Sequence, residues 1–199
     1  MRSLSSILER SGEFFMKSSP IHRAAERIFK ALEECGVPFV IAGALAANAH
    51  GHVRTTEDVD ILVTPEGLSR FKERWLGFGW LEVFPGSKSV RDTEHNIRID
   101  VLLAGDYPGD GKAKPVCFPD PKDAGEPDES GIPILKLEHL IELKLASGMT
   151  AAHRLRDLDD VMHLIRANNL PKEYAETLNP YVRRAYLDRW NAAQYEEDY

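Results

Sequence analysis

The segment that decides the fold is residues 41–63, which read IAGALAANAHGHVRTTEDVDILV. It begins at the end of a short apolar run and passes through Gly43 into small, helix-favouring residues, 44–49. The run 58–63 then alternates, with one predicted face formed by Val59, Ile61 and Val63 and the other by Asp58, Asp60 and Leu62. The segment therefore predicts a strand, a glycine turn, a helix and a second strand that carries two acids on one face.

The flanking segments predict further helices and strands. Residues 20–34 have apolar side chains at helical spacing, with Ser19 as a cap and Pro20 at the first helical position. A second helix is predicted over 65–76. Aromatic side chains in and after it are predicted to lie in the core, namely Phe71, Trp75, Trp80 and Phe84.

A third acid is predicted on another strand. Runs around 80–84 and 89–91 favour strands, and 96–103 is a firmer strand. Its apolar face holds Ile97, Ile99, Val101 and Leu103, so Asp100 lies on the opposite face. Asp100 can thus project from a strand next to the one that carries Asp58 and Asp60.

The second half of the chain divides into a loop and a helical region. Residues 105–133 are rich in Gly, Pro and Asp and predict a long surface loop, with 116–118 as its only strand-like part. Helices are predicted over 137–147 and over 151–167, the latter with a buried stripe of Leu155, Leu158, Met162 and Ile165. We predict an α+β fold: an N-terminal helical segment (1–19), a mixed-sheet core with flanking helices (20–135) and a C-terminal helical region (136–199).

Composition limits the class of protein. The 199 residues are 43% hydrophobic, enough for a normal core, and the net charge is −7, so a basic surface typical of general nucleic-acid binders is absent. No apolar run has the length needed to cross a membrane, and the N-terminus lacks a signal-peptide core. We expect a cytoplasmic protein without a membrane partner. Cys35 and Cys117 belong to no metal-binding pattern.

The acids suggest a metal site. Asp58 and Asp60 reach the same side of a strand, where two unpaired carboxylates repel each other. A divalent cation such as Mg²⁺ or Mn²⁺ would remove this conflict, and Asp100 could complete the site or accept a proton from a hydroxyl. Solvated acids at a strand edge are the ordinary alternative.

The residues around the acids suggest phosphate binding. Gly43 stands between a strand and a helix, where backbone N–H groups favour an anion, and Arg54 and Thr56 could contact phosphate. A simple turn glycine and an exposed arginine are the alternatives. His50 and His52 have no third ligand at a suitable spacing, so loop structure is favoured over zinc.

Four motifs together resemble a known family. They are residues 42–46, residues 50–63 with Asp58-Val59-Asp60, residues 140–148 and residues 156–161. With Asp100, they resemble the nucleotidyltransferase superfamily related to DNA polymerase β, and more narrowly the small bacterial AbiEii-type toxin nucleotidyltransferases. The resemblance covers roughly residues 20–168.

The resemblance implies a mixed sheet of about five strands with helices. It implies Mg²⁺ (or Mn²⁺) held by Asp58 and Asp60, with Asp100 as third carboxylate. In the phosphate-binding turn Gly43 matches the family and Ala44 departs from its second Gly or Ser. The family's helical lysine matches Lys144, which would reach the triphosphate, and its Arg-Asp pair matches Arg156-Asp157. The alternatives are an ordinary surface lysine and an exposed charged helix face that includes Asp160.

Two functions follow as hypotheses. The first is an enzyme that moves a nucleoside monophosphate from an NTP to a hydroxyl of RNA, protein or a small molecule, as a possible component of a toxin–antitoxin pair with an antitoxin or regulator as partner. The second is a non-catalytic nucleotide- or partner-binding module that keeps the fold, which Ala44 favours. Three retained acids favour the enzyme.

Overall fold

The computed structural model describes residues 19–151 and 154–195. The predicted N-terminal helical segment 1–19 lies outside the described residues, apart from Ser19. The predicted division into a core (20–135) and a helical region (136–199) stays a prediction.

The strands form one mixed sheet. They are β1 (Phe39–Ile41), β2 (Asp58–Val63), β3 (Trp80–Glu82), β4 (Val90–Asp92), β5 (Ile97–Leu103), β6 (Gly125–Pro127) and β7 (Pro133–Leu135). Within the described ranges these seven strands have the order β3-β4-β5-β2-β1-β7-β6. β2 is parallel to β5 and β1 is parallel to β7, whereas the other neighbours are antiparallel. The central pair, β2 and β5, carries the three acids.

Helices flank the sheet and continue after it. They are α1 (Pro20–Glu34), α2 (Gly43–Ala49), α3 (Pro65–Trp75), α4 (Pro121–Ala124), α5 (Leu137–Gly148), α6 (Leu155–Asn168) and α7 (Arg183–Ala193), with a 3₁₀ helix at Lys172–Glu176. This arrangement confirms the predicted α+β class. No helix in the described ranges has the length and apolar character needed to span a membrane.

The start of α1 follows the sequence prediction. The Ser19 hydroxyl oxygen accepts a hydrogen bond from the His22 backbone N–H at 3.3 Å, and Pro20 is the first helical residue. The helix buries its apolar stripe against the sheet, and Phe29 stacks on Phe39 with ring centroids 5.4 Å apart. Each large apolar side chain buried in this way contributes about 1.5–3 kcal/mol. The stripe therefore fixes α1 across the back of the central strands.

The prediction of one long loop over 105–133 is wrong in its second half. It contains α4 and β6, and β7 follows with Ile134 paired to Ile41 of β1. These strands have three residues each and include prolines, so neither alternation nor an apolar run marks them. The strand-like residues 116–118 form no strand. Instead, hydrogen bonds from Gly105 N–H to the Phe118 carbonyl and from Phe118 N–H to the Asp106 carbonyl, both 2.8 Å, close the base of a loop.

Two predicted core side chains lie at the surface. Phe84 is 63% exposed because β3 ends at Glu82 and Phe84 falls in the following turn. Leu155 is 64% exposed because α6 begins at this residue instead of at Ala151. The buried stripe of α6 is formed by Asp160, Val161, Leu164 and Ile165, so it is rotated relative to the predicted one.

Candidate functional site

Three acids lie on one face of the central strand pair. Asp60 is directly opposite Asp100 in the parallel register of β2 and β5, and Asp58 precedes Asp60 by two residues on β2. Paired residues of neighbouring strands point to the same side of a sheet. The structure therefore places on one face of the sheet the three acids that the sequence proposes for a metal site.

Asp60 is the most perturbed of these acids. Burial raises the pKa of its carboxyl to about 7, with further increases from the charges of Asp58 and Asp100. Lys144 and Arg54 act in the opposite direction. Asp60 therefore lies in an environment that opposes its negative charge as long as no further cation is close.

The turn at Gly43 is built around Asp60. Gly43 has φ of +57°, and a β-carbon at this position would overlap the Asp60 carboxylate. Glycine is required for both reasons, since other residues pay a steric cost at positive φ and would also displace Asp60. Ala44 follows Gly43 and stands where the resembled superfamily has a second Gly or Ser. It is buried and lines both cavities described below.

The other two acids have hydrogen-bond partners. Thr56 Oγ1 donates to Asp58 Oδ1 at 2.7 Å. Asp100 Oδ1 accepts from Ser89 Oγ at 2.7 Å and from Arg98 Nε at 2.6 Å. Thr56, expected to contact phosphate, therefore orients an acid. Arg98 shares a strand face with Asp100, as the alternation of 97–103 predicts, whereas Ser89 is a site neighbour that the sequence did not indicate.

Two of the three acids, Asp58 and Asp60, fit the role of ligands to a hard divalent cation. Asp58 and Asp60 supply carboxylate oxygens of the kind that Mg²⁺ and Mn²⁺ prefer, and the conflict at Asp60 is one that a cation relieves. Among the residues that the structure describes, no three His, Cys, Asp or Glu side chains are already grouped as a metal site. Asp100 is turned toward Arg98 and Ser89, so it could join as a ligand only by giving up part of that pairing.

Lys144 and Asp160 are buried together, so the alternatives of an ordinary surface lysine and of an exposed Asp160 are wrong. They are 7% and 1% exposed, and Lys144 Nζ lies 2.5 Å from Asp160 Oδ2. Asp160 also accepts from Arg54 Nη2 at 3.1 Å and from His52 Nε2 at 3.0 Å. Burial alone would raise the pKa of Asp160, but the His52 hydrogen bond and the two cations hold it well below its usual range.

Arg156 and Asp157, the Arg-Asp pair of α6, lie at different cavities. Asp157 Oδ2 accepts from Ser147 Oγ at 2.6 Å and lies 3.5 Å from Lys144 Nζ. Arg154 Nη1 also donates to Ser147 Oγ, at 3.1 Å. Arg156 is exposed and lies at a different cavity from Asp157. Consecutive helix residues face different sides, so the two cannot act on one phosphate group as a unit.

Two cavities meet at Asp60. The first, called the helical cleft, has a volume of about 340 Å³ and lies between the Gly43 turn and helices α5 and α6. Its polar lining includes Lys144, Arg154 and Asp157, and its apolar lining includes Leu102, Tyr107, Phe118, Leu140 and Leu143. The second, called the loop cavity, measures about 320 Å³ and is lined by the loop 54–57 with Asp58 and Arg156. Ala44, Arg54 and Asp60 line both.

Sequence reasoning missed the buried anion of this site. Asp160 follows Asp157 by three residues and precedes Leu164 by four, a spacing that places it on the same helix face as both. His52, considered for zinc and interpreted as loop structure, binds Asp160 and stacks on His163 with ring centroids 4.6 Å apart. His50 is buried, and its ring lies 2.7 Å from the Leu135 carbonyl oxygen, to which Nε2 donates.

Comparison with known proteins identifies the fold. No protein-family model and no curated protein matches the chain. The crystal structure of ANT(2″)-Ia in complex with adenylyl-2″-tobramycin matches with a TM-score of 0.54 and 15% sequence identity, over 84% of this chain and 97% of that one. A solution structure of the antibiotic-resistance factor ANT(2″)-Ia matches with a TM-score of 0.51 and 16% sequence identity, over 84% of this chain and 91% of that one. This likeness confirms the predicted nucleotidyltransferase fold, while the narrower resemblance to AbiEii-type toxins stays a prediction.

Proposed function

We propose that the protein is a nucleotidyltransferase that moves a nucleoside monophosphate from an NTP to a hydroxyl acceptor. The observation that carries the proposal is the placement of Asp58, Asp60 and Asp100 on one face of the sheet, with Asp60 at the junction of two cavities that cationic side chains also line. The shared fold supports it, because ANT(2″)-Ia is found with an adenylylated compound, adenylyl-2″-tobramycin.

The helical cleft is the better place for the nucleotide. A nucleoside triphosphate needs an apolar surface for its base and cations for its phosphates, and this cleft has both. Tyr107 and Phe118 lie on the apolar side, and Lys144 and Arg54 lie beside Asp60. The α-phosphate would then face the acids. The loop cavity, with its polar lining, is left for the acceptor.

The reaction is a displacement at the α-phosphorus. An acceptor hydroxyl oxygen forms a bond to that phosphorus, the bond to the α–β bridging oxygen breaks, pyrophosphate leaves and a carboxylate takes the hydroxyl proton. Asp58 and Asp60 would hold Mg²⁺ or Mn²⁺, which supplies charge neutralisation on the triphosphate when bound. Asp100 is the proposed proton acceptor, oriented by Ser89 and Arg98. Lys144 and Arg54, which line the helical cleft, would bind phosphate groups, whereas Arg156 lines the loop cavity on the acceptor side.

The test is transfer of label from each α-labelled NTP, with Mg²⁺ present, to pools of RNA, protein and small hydroxyl compounds. We expect transfer by the wild type and loss of at least about 100-fold in Asp58→Asn and Asp60→Asn, the size of a lost electrostatic contact to the transition state. Asp188→Asn is the matched control, because Asp188 is exposed on α7. No labelled acceptor in any pool, or equal transfer by the Asp60 variant, contradicts the proposal.

A second candidate function is a non-catalytic module that binds a nucleotide or a partner protein. Ala44, at the position where the family has a second Gly or Ser, favours it. Calorimetry with ATP and GTP, with and without Mg²⁺, separates the two functions when combined with a search for a co-purifying protein. Tight partner binding without metal-dependent nucleotide binding favours the module.

The acceptor and the biological setting are open parts of this proposal. Adenylyl-2″-tobramycin is the bound compound of the matched crystal structure and points to a small-molecule acceptor, whereas the chain's resemblance to toxins points to RNA. The label-transfer pools distinguish these acceptors. A toxin–antitoxin role, an antitoxin or regulator partner and a cytoplasmic location stay predictions.

A further inference from the structure

Asp160 lies where three positively charged or protonatable side chains converge. Its carboxylate contacts Lys144 Nζ at 2.5 Å, Arg54 Nη2 at 3.1 Å and His52 Nε2 at 3.0 Å, and it is 1% exposed. These partners come from α5 and from the segment between α2 and β2, so one side chain of α6 connects three parts of the chain. A buried carboxylate with this many donors holds them in fixed positions.

The two permanent cations held by Asp160 also line the helical cleft beside Asp60. Lys144 and Arg54 are close enough to Asp60 to act on its charge. Without Asp160, Lys144 would keep only Asp157 among the described residues, 3.5 Å away, and both Lys144 and Arg54 would be drawn more strongly toward the negative charge of Asp60. Asp160 therefore competes with the site acids for these two side chains.

Arg54 also keeps an unused donor. Its buried Nε lies 3.0 Å from Asp160 Oδ1 as an ion pair but makes no hydrogen bond. In the described residues this is the one buried side-chain nitrogen or oxygen without a hydrogen-bond partner. Because Arg54 lines the helical cleft, an anion bound there could pair with this donor, which is otherwise a costly buried group.

We propose that Asp160 is a positioning residue that anchors Lys144 and Arg54 in the helical cleft so that both can bind the triphosphate of the nucleotide. The proposal rests on the proposed function for the identity of the anion. The anchoring itself is independent of any substrate and can be tested alone.

The anchoring is tested by the reactivity of Lys144 toward acetic anhydride, measured residue by residue with mass spectrometry on the folded full-length chain. The variants are Asp160→Asn and its neighbour Asp159→Asn, whose side chain is exposed. We expect Lys144 to react about tenfold faster in Asp160→Asn, since the amine loses its buried partner, and at the wild-type rate in Asp159→Asn. Thermal melts define a temperature at which all variants are folded. An unchanged Lys144 rate in Asp160→Asn overturns the proposal.

The role toward the nucleotide is tested by a double-mutant cycle on the dissociation constants of ATP, GTP, CTP and UTP. We expect Asp160→Asn to weaken nucleotide binding about tenfold in the wild-type background and only about threefold in a Lys144→Met background, because in the second background Asp160 can act only through Arg54. A purely structural role predicts equal effects in both backgrounds, and that result overturns the proposal. If Lys144 becomes reactive as expected but the wild type binds no NTP, the anchoring stands while the proposed function and the nucleotide role fail.

Discussion

Replacing Asp60 by asparagine is expected to stabilise the metal-free protein at neutral and alkaline pH. The carboxylate is partly buried against the Gly43 turn and faces two further acids, so its negative charge is unfavourable in the folded state. Asparagine has nearly the same shape and no charge. The variant should therefore lose activity and gain stability, which is the pattern of an acid placed for function at the expense of the fold.

The size of the gain follows from the pKa. The carboxyl has a pKa of 3.8 as a free group and about 7 in the folded protein. Below about pH 4 both states are protonated and the group costs nothing, and the cost grows as the pH rises and is complete above about 7. A difference of about three units corresponds to about 4 kcal/mol. This is an upper bound, because the remaining solvent exposure of Asp60 screens its charge.

Urea unfolding at pH 4 and pH 8 measures this effect, with Asp188→Asn as the control for loss of an exposed acid. We expect Asp60→Asn to exceed the wild type by several kcal/mol at pH 8, up to about 4, and by less than about 1 kcal/mol at pH 4. Mg²⁺ at pH 8 should stabilise the wild type more than the variant and narrow the gap. A gap of the same size at both pH values, or a variant less stable than the wild type at pH 8, refutes the reasoning.

Three further predictions concern the fold around the site. Gly43→Ala should lower the free energy of unfolding by about 2–4 kcal/mol in urea titrations, whereas Gly36→Ala, also at positive φ but in open space, should cost only about 1–2 kcal/mol. The stability that the Asp160 carboxylate gives over Asp160→Asn should be complete above about pH 4 and decline as the pH falls further, because its pKa is lowered in the folded state; urea midpoints from pH 7 to pH 3 measure the decline. On α6, Ile165→Ala should cost about 2–5 kcal/mol and Leu155→Ala less than about 0.5 kcal/mol in thermal or urea unfolding, and equal costs would contradict the observed orientation of the helix.

The central part of the fold could be predicted because its signals are local. Alternation along 58–63 fixes which face of β2 carries the acids, and the same pattern in 97–103 places Asp100 on the matching face of β5. The turn at Gly43 could also be predicted, because this glycine stands between a strand and a helix in the local sequence. The contact with Asp60 that makes glycine necessary is not visible in the sequence.

The strands at the β6–β7 edge of the sheet could not be predicted because they are stabilised by pairing with residues that the local sequence pattern does not reveal. β7 has three residues and is held by β1 and β6, so its strand identity comes from its neighbours and not from its own composition. The apolar residues of α6 are compatible with two buried helix faces. The predicted face contains Leu155 and Leu158 and leaves Asp160 exposed, whereas the observed face contains Asp160, Val161 and Leu164. The partner that makes the burial of Asp160 favourable, Lys144, lies on another helix.

The candidate site consists of two charged halves that the fold keeps apart. On the sheet, burial and the charges of Asp58 and Asp100 raise the pKa of Asp60, while on the helical side Asp160 holds Lys144 and Arg54 at the cleft. If the cations were free, they would neutralise the acids directly and close the gap between the two cavities. Under the proposed function, a triphosphate with a divalent cation would satisfy both halves at once, because Asp58 and Asp60 would hold the metal and Lys144 and Arg54 would bind the phosphates. Asp160→Asn and Asp60→Asn should therefore have different effects. Asp160→Asn releases Lys144 and Arg54 from their fixed positions, whereas Asp60→Asn removes one negative charge from the acids on the sheet.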